Sequence, residues 1–452
     1  MAPVAWEPKR DALMRAIGLM ALTYVWRLQD AFPILGRIKL PILALLLAMG
    51  LYVASRHPWR KVVQLRSPIV SLVLCLLAVM VIGIPTSLWR GNSLQFVLKE
   101  HVPNILFMAL VAASIRTVKD VQWYARLNLY GAMLYATIVN LFFHVGADGR
   151  LGNLVYYDAN DFALVMVATI PFAVYWLRPG NGVRRRLLGL FALGMFMLAL
   201  VKSGSRGGFI GFVAVMLYVL LRYRAIPSRM RLFAAIAGVG LVAMLGTDKY
   251  WSQMSTILHP TTDYNWSDRQ GRMEVWKRGL GYVMDRPVLG VGVGSYPVAE
   301  GTLSEIGRQL QARGRGFKWS VAHNSFLETA AELGIPGFLL FCALLGVTIR
   351  TMLRVRPGRF WGPLVGKREQ ALGQMLTGSF IGFSVAGFFV SAEYFSYLYF
   401  LLGLAVGLDK VLRLQRAALL STLPRVVPPR QAMRAPPPPA PGMSPIPAPR
   451  GM

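Results

Sequence analysis

The chain has 452 residues, of which 55% are apolar and 15% charged, against roughly 25% charged in soluble domains. That composition excludes a soluble globular domain, and two cysteines exclude a disulfide-framed fold. The formal charge of +29 leaves nucleic acid, acidic lipid and membrane topology as explanations, to be separated by where the charge sits.

The first residues, MAPVAWEPKRDALMRAIGLM, show no small-residue cleavage site after a short apolar core. They read as an uncleaved, cytoplasmic start. Apolar runs of about 17–22 residues then recur, the length a helix needs to cross roughly 30 Å of hydrocarbon. Spans are predicted near 13–27, 38–55, 69–89, 100–116, 127–145, 160–177, 187–201, 208–222, 232–247, 329–350, 374–391 and 394–413. The fold class is therefore an all-α polytopic integral membrane protein with about 12 transmembrane helices. Cys75 and Cys342 fall inside apolar runs and read as packing residues.

Alternate loops hold the basic residues: Arg56, Arg60, Lys61 and Arg66; Arg116, Lys119 and Arg126; Arg178 and Arg184 to Arg186; Arg222, Arg224, Arg229 and Arg231; then Arg350 to Arg368. The loops between them are poorer in Lys and Arg, and GADGRLGNLVYYDAND is net acidic. By the positive-inside rule both termini are cytoplasmic, and topology accounts for most of the basic excess; nucleic acid is not a partner. Four segments follow: helices over 1–246, a large external loop with short helices over 247–322, the remaining helices over 323–415, and a tail over 416–452. Trp251, Trp266, Trp276, Tyr282 and Trp319 predict an ordered loop. The tail, proline-rich from Leu423, reads as disordered.

Four polar motifs share the external side. Asp158 and Asp161 in YYDAND could ligate a divalent metal, but a helix cap by Asn160 or Asp161 suits them better. No HExxH or Cys/His cluster is present, and no metal or other cofactor is expected. In SGSRGG, Arg206 lies over a turn of small residues including Ser205, beside a helix N-terminus. This suits a phosphate, or a headgroup anchor beside a close helix contact. Arg272 and Trp276 are four apart, with Arg269 one turn earlier, as befits a sugar-phosphate or an inward-packed surface helix. The glycines of LGVGVGS lack a following Lys-Ser/Thr and read as a tight turn. In SVAHNSFLETAAELGIPG, Ser325 and Glu328 form a capping-box pattern that leaves His323 and Asn324 at the membrane surface. His323 suits a general base or a headgroup-level hydrogen bond, and Glu328 and Glu332 suit orientation or charge balance.

Three of these stretches, SGSRGG, GRMEVW…RPVLGVGVGSY and AHNSFLETAAELGIPG, resemble in order and spacing the O-antigen ligase and polymerase superfamily of bacterial envelope glycosyltransferases. The resemblance spans roughly residues 60–415. It implies a metal-independent, inverting glycosyltransferase of the C-type class in the bacterial inner membrane, its active site facing the periplasm. The donor would be a glycan on undecaprenyl diphosphate. Lipid A–core is the leading acceptor, with a second glycan (a polymerase) or a protein hydroxyl as alternatives. By motif position Arg206 and Arg272 would hold the diphosphate and His323 would activate the acceptor. Ser205, Arg269, Trp276, Asn324, Glu328 and Asp158 would contact substrate. A lipid-linked glycan transporter is the alternative from another class; internal repeats, which transporters commonly show, are not evident in the sequence.

Overall fold

The computed structural model describes residues 11–146, 150–152, 157–259, 261, 263, 266, 268, 270–317, 319–358, 361 and 364–422. Arg269 and the proline-rich tail from Leu423 lie outside these residues. Among the described residues a helix overlaps each predicted span. These helices are α1 (Ala12–Tyr24), α2 (Leu40–Ala54), α3 (Pro68–Thr86), α4 (Arg90–Ser114), α5 (Val118–Phe142), α6 (Ala159–Trp176), α7 (Val183–Ser203), α8 (Arg206–Arg222) and α9 (Ser228–Leu245). Between α9 and the next long helix come α10 (Asp248–Ser255), α11 (Arg272–Asp285), α12 (Tyr296–Thr302) and α13 (Glu305–Ala312). The chain ends in α14 (Ser325–Leu353), α15 (Lys367–Gly387) and α16 (Ser396–Thr422).

Six of these, α3, α4, α6, α7, α9 and α14, are long and apolar enough to cross a membrane by length and composition. The others fall short in length, as α1, α2 and α8 do, or carry more polar residues, as α5 does with buried Asn128 and Asn140. Helix ends depart from the hydropathy estimate where polar turns continue a helix. The fourth begins at Arg90 and passes through a π turn at Val97–His101. α16 continues to Thr422, so residues 416–422 of the expected tail are helical. Cys75 is exposed on α3, contrary to a packing role, and Cys342 is half-buried.

α6 is the centre of the bundle: every residue from Phe162 to Trp176 is buried, against α5, α7, α8 and α15. Small residues make this approach possible. A Cβ on Gly208 would lie 2.6 Å from that of Ala163, and one on Gly382 would lie 2.7 Å from Val215. Backbones this close gain dispersion contacts that lipid tails do not replace.

Helix order places Asp11, Arg60, Arg116 and Lys410 together at one end of the bundle, where Arg60 pairs with Asp11 and Lys410 Nζ donates to the Ala112 carbonyl at 2.6 Å. The segment between α9 and α14 packs on the other end. There Tyr282, Val291, Tyr296, Ala299 and Ala322 form a second small core; of the aromatic residues that predicted order Tyr282 lies in it, while Trp251, Trp266 and Trp319 are exposed. The LGVGVGS stretch threads between α4 and α14. Gly292 has φ 101, and a Cβ there would meet Ser87 Oγ at 2.1 Å. Its amide donates to the Glu332 carbonyl at 3.0 Å, beside the break in α14 at Gly334 (φ 70). The turn is a structural clasp between loop and helix.

Candidate active site

The site forms where α7 passes into α8. Gly204 closes α7 in the left-handed region (φ 59), the usual helix stop. Ser203 Oγ accepts from Ser205 N at 3.2 Å, and Ser205 Oγ caps α8 by accepting from Gly208 N at 3.1 Å. Ser205 is 1% exposed and serves as a buried helix cap. Arg206, the first residue of α8, donates from Nη1 to Thr256 Oγ1 at 2.7 Å and pairs with Asp263. Among the described residues its Nε and Nη2 have no partner.

Arg272 is the first residue of α11, and its Nη1 donates to the Phe389 carbonyl at 3.1 Å. Trp276 follows one turn later, edge-on to Phe388, with Nε1 donating to the Ala322 carbonyl at 2.8 Å. Arg206, Arg272 and Trp276 line one cavity of about 370 Å³. Arg150 and Asn160 line it as well, joined by a 2.7 Å hydrogen bond from Arg150 Nη2 to Asn160 Oδ1. Sequence reasoning missed both. Arg150 belongs to no motif, although a basic residue in a net acidic loop is itself a signal.

Asp158 stands apart in role. Its carboxylate accepts from Asn160 N and Asp161 N, at 2.6 and 2.8 Å, while Asp161 returns a bond to Asp158 N at 3.1 Å. Asp158, neither Asn160 nor Asp161, is the cap of α6: its Oδ1 takes both amides, and the residue is exposed. Among the described residues no three His, Cys, Asp or Glu side chains group to hold a metal.

His323 is half-buried and has φ 49, in the left-handed region that few non-glycine residues occupy and that Arg27 and Lys39 share in this chain. It is not among the residues lining the cavity but follows Ala322, whose carbonyl Trp276 holds. Ala322 N donates to Glu328 Oε2 at 2.9 Å, so both backbone polar atoms of Ala322, the residue before His323, are held. The expected Ser325–Glu328 capping box is replaced. Asn324 is the cap, with Oδ1 accepting from Phe326 N and Leu327 N at 3.0 and 3.1 Å, whereas Ser325 Oγ donates to the Val390 carbonyl at 2.7 Å. An amide oxygen one residue earlier reaches the free amides with better geometry than the serine does.

Behind this loop lie three buried carboxyls. Glu328 also accepts from Ser391, and Glu332 accepts from Tyr296 N and Tyr394 OH at 3.0 and 3.1 Å. These bonds hold backbone and hydroxyl groups rather than an arginine. Glu393, in the connection between α15 and α16, is 3% exposed, and among the described residues its Oε2 has no partner. Burial, with Glu328 and Glu332 nearby, pushes the Glu393 carboxyl well above the usual carboxylate range.

Residues 189–342 match the family described as O-antigen ligase. That interval contains Arg206, Arg272, Trp276, His323, Asn324 and Glu328. A provisionally named polysaccharide ligase of Rickettsia conorii is 24% identical over 252 residues, covering 48% of this chain and 54% of the relative. The Bacillus subtilis teichuronic acid biosynthesis protein TuaE is 24% identical over 147 residues, 31% of this chain and 30% of the relative. An uncharacterized Haemophilus influenzae protein is 25% identical over 162 residues, 34% of this chain and 40% of the relative. The chain thus spans about half the length of the first of these relatives, and less of the others.

Proposed function

We propose that this multi-pass membrane protein, whose residues 189–342 form an O-antigen ligase family domain, transfers a glycan from undecaprenyl diphosphate to an acceptor hydroxyl. Lipid A–core is the leading acceptor, and the names of the Rickettsia and Bacillus relatives agree with work on polysaccharide. The observation that carries the reading is the convergence of Arg150, Arg206 and Arg272 with Trp276 on one cavity at a helix junction. Guanidinium groups match the oxygens of a diphosphate, and an indole offers a face to a sugar ring.

The chemistry follows from that placement. The acceptor oxygen attacks the anomeric carbon, its proton passes to His323, and the bond from that carbon to the diphosphate oxygen breaks with its electron pair leaving on oxygen. Charge grows on the diphosphate as the bond breaks, so fixed arginines stabilise the transition state more than the ground state. Attack opposite the leaving group inverts the anomeric configuration. Trp276 links the two halves of the reaction, lining the arginine cavity while holding the peptide that precedes His323. Because guanidinium groups supply the positive charge, transfer is metal-independent.

The Lys/Arg asymmetry of the loops supports an orientation with this end of the bundle at the periplasmic face of the inner membrane and both termini in the cytoplasm. The test uses full-length protein in nanodiscs with a glycan-loaded undecaprenyl diphosphate and, separately, lipid A–core, free glycan and peptide acceptors. Glycan on lipid A–core, unaffected by EDTA and strongly reduced in Arg206→Lys, is expected. Transfer to glycan alone would make the protein a polymerase. Translocation of the lipid-linked glycan without transfer to any acceptor would make it a transporter.

A further inference from the structure

A second cavity, of about 270 Å³, lies between α7, α8 and α9 toward the end of the bundle opposite the arginine cavity. Leu193, Met197, Met216, Phe233 and Leu241 are among its walls, and Arg186 is the one charged residue lining it. Arg186 lies 17 residues before the end of α7, about 25 Å along the helix axis from the Arg206 junction. The two cavities share no lining residue.

Two observations point to an absent ligand. First, α9 turns most of its apolar surface outward, as a lipid-facing helix does: Val242 is its one buried residue among those described, and Phe233 lines the cavity while 67% exposed, so this wall is reached from the bilayer. Second, the side chain of half-buried Arg186 has no hydrogen bond or ion pair among the described residues, and its Nε is buried. It sits in the first turn of α7, where the helix dipole disfavours a cation and favours an anion. No acidic residue occupies the first turn of α7 or α9, while Arg184, Arg185, Arg229 and Arg231 add positive charge there.

An apolar slot ending at an uncompensated arginine complements one kind of molecule, an acyl chain carrying an anionic headgroup. We propose that this cavity binds an anionic phospholipid from the leaflet at that end, with an acyl chain between α9 and the α7–α8 pair and the phosphate on Arg186. The lipid completes the packing of α9. A polyprenyl tail reaching down from the arginine cavity would leave Arg186 without an anion, so the phospholipid is the better match.

The test is native mass spectrometry of the full-length protein after equilibration in mixed micelles of equimolar phosphatidylglycerol and phosphatidylethanolamine. Wild type is expected to retain one phosphatidylglycerol with a preference of about tenfold or more, from a charge-assisted contact. Arg186→Gln is expected to bring the preference near unity, while Arg184→Gln, at an exposed neighbour, keeps it. Gly194→Phe provides an independent arm: Gly194 lines the cavity and a Cβ there meets nothing within 4 Å, so the ring can occupy the slot in a folded protein. That variant is expected to lose the bound lipid with Arg186 intact. Equal retention of the two phospholipids by wild type, an undiminished preference in Arg186→Gln, or full lipid retention by Gly194→Phe overturns the proposal.

Discussion

Replacing Trp276 by Phe tests whether the loop carrying His323 is set by the arginine cavity. The substitution keeps an aromatic ring edge-on to Phe388 but removes the 2.8 Å bond from Nε1 to the Ala322 carbonyl. Ala322 is 0% exposed, so its carbonyl is left unsatisfied away from water. That costs about 1–3 kcal/mol. The remaining tether, from Ala322 N to Glu328, fixes only one side of the peptide. If the cost falls on the placement of His323, turnover should drop by roughly 5- to 150-fold, since 1.4 kcal/mol is a factor of ten. The assay is glycan transfer at saturating donor, with His323→Ala and the double variant in parallel. A tether acting through His323 makes the double variant no slower than His323→Ala alone. Additive losses, or normal turnover in Trp276→Phe, would refute the reasoning.

Other expectations follow from the same packing. Glu300→Ala removes the fully buried carboxylate to which Arg278 donates at 3.0 and 2.7 Å and Tyr282 at 2.9 Å. Stability should fall by about 3–5 kcal/mol, read as a lower midpoint in detergent thermal unfolding. Asn324→Ala removes the cap of α14 and should cost about 0.5–2 kcal/mol, seen in the same assay. Asp11 gives a pH signature. Burial raises its carboxyl, but the bond from Arg60 and the amide of Met14 outweigh this, with the Arg116 charge adding, so its pKa lies below the ordinary value. A depressed carboxylate stabilises the fold above its unfolded pKa of about 4, and that stabilisation disappears as pH falls through the folded value. Wild type should therefore lose more thermal stability than Asp11→Asn on acidification below about pH 4; parallel pH profiles would remove the Asp11–Arg60 pair from the stability account.

The helices were legible because apolar runs report burial in lipid or protein alike. For the same reason hydropathy does not distinguish α6, encased by other helices, from α9, which presents most of its surface outward. Arg206, Arg272 and Trp276 could be singled out from residue type and spacing, and the structure brings these three to one cavity. At Ser205 and Asp158 a serine or aspartate at a helix start suits a cap and a ligand equally well, and the structure shows the cap, with the amides of Gly208, Asn160 and Asp161 occupied. Arg150, Asn160 and Glu393 reach the site or its support through tertiary packing, which no local motif encodes.

The most direct test of the central claim is acceptor-dependent release of undecaprenyl diphosphate by the reconstituted protein, compared among wild type, Arg206→Ala, Arg272→Ala and Arg150→Ala. Each arginine that meets the leaving diphosphate should cost about 2–4 kcal/mol of transition-state stabilisation, a loss of roughly 30- to 900-fold in turnover, in protein that remains monodisperse and thermally stable. Wild-type rates in all three variants would contradict the account, because the cavity they line would then not be where the glycosidic bond breaks.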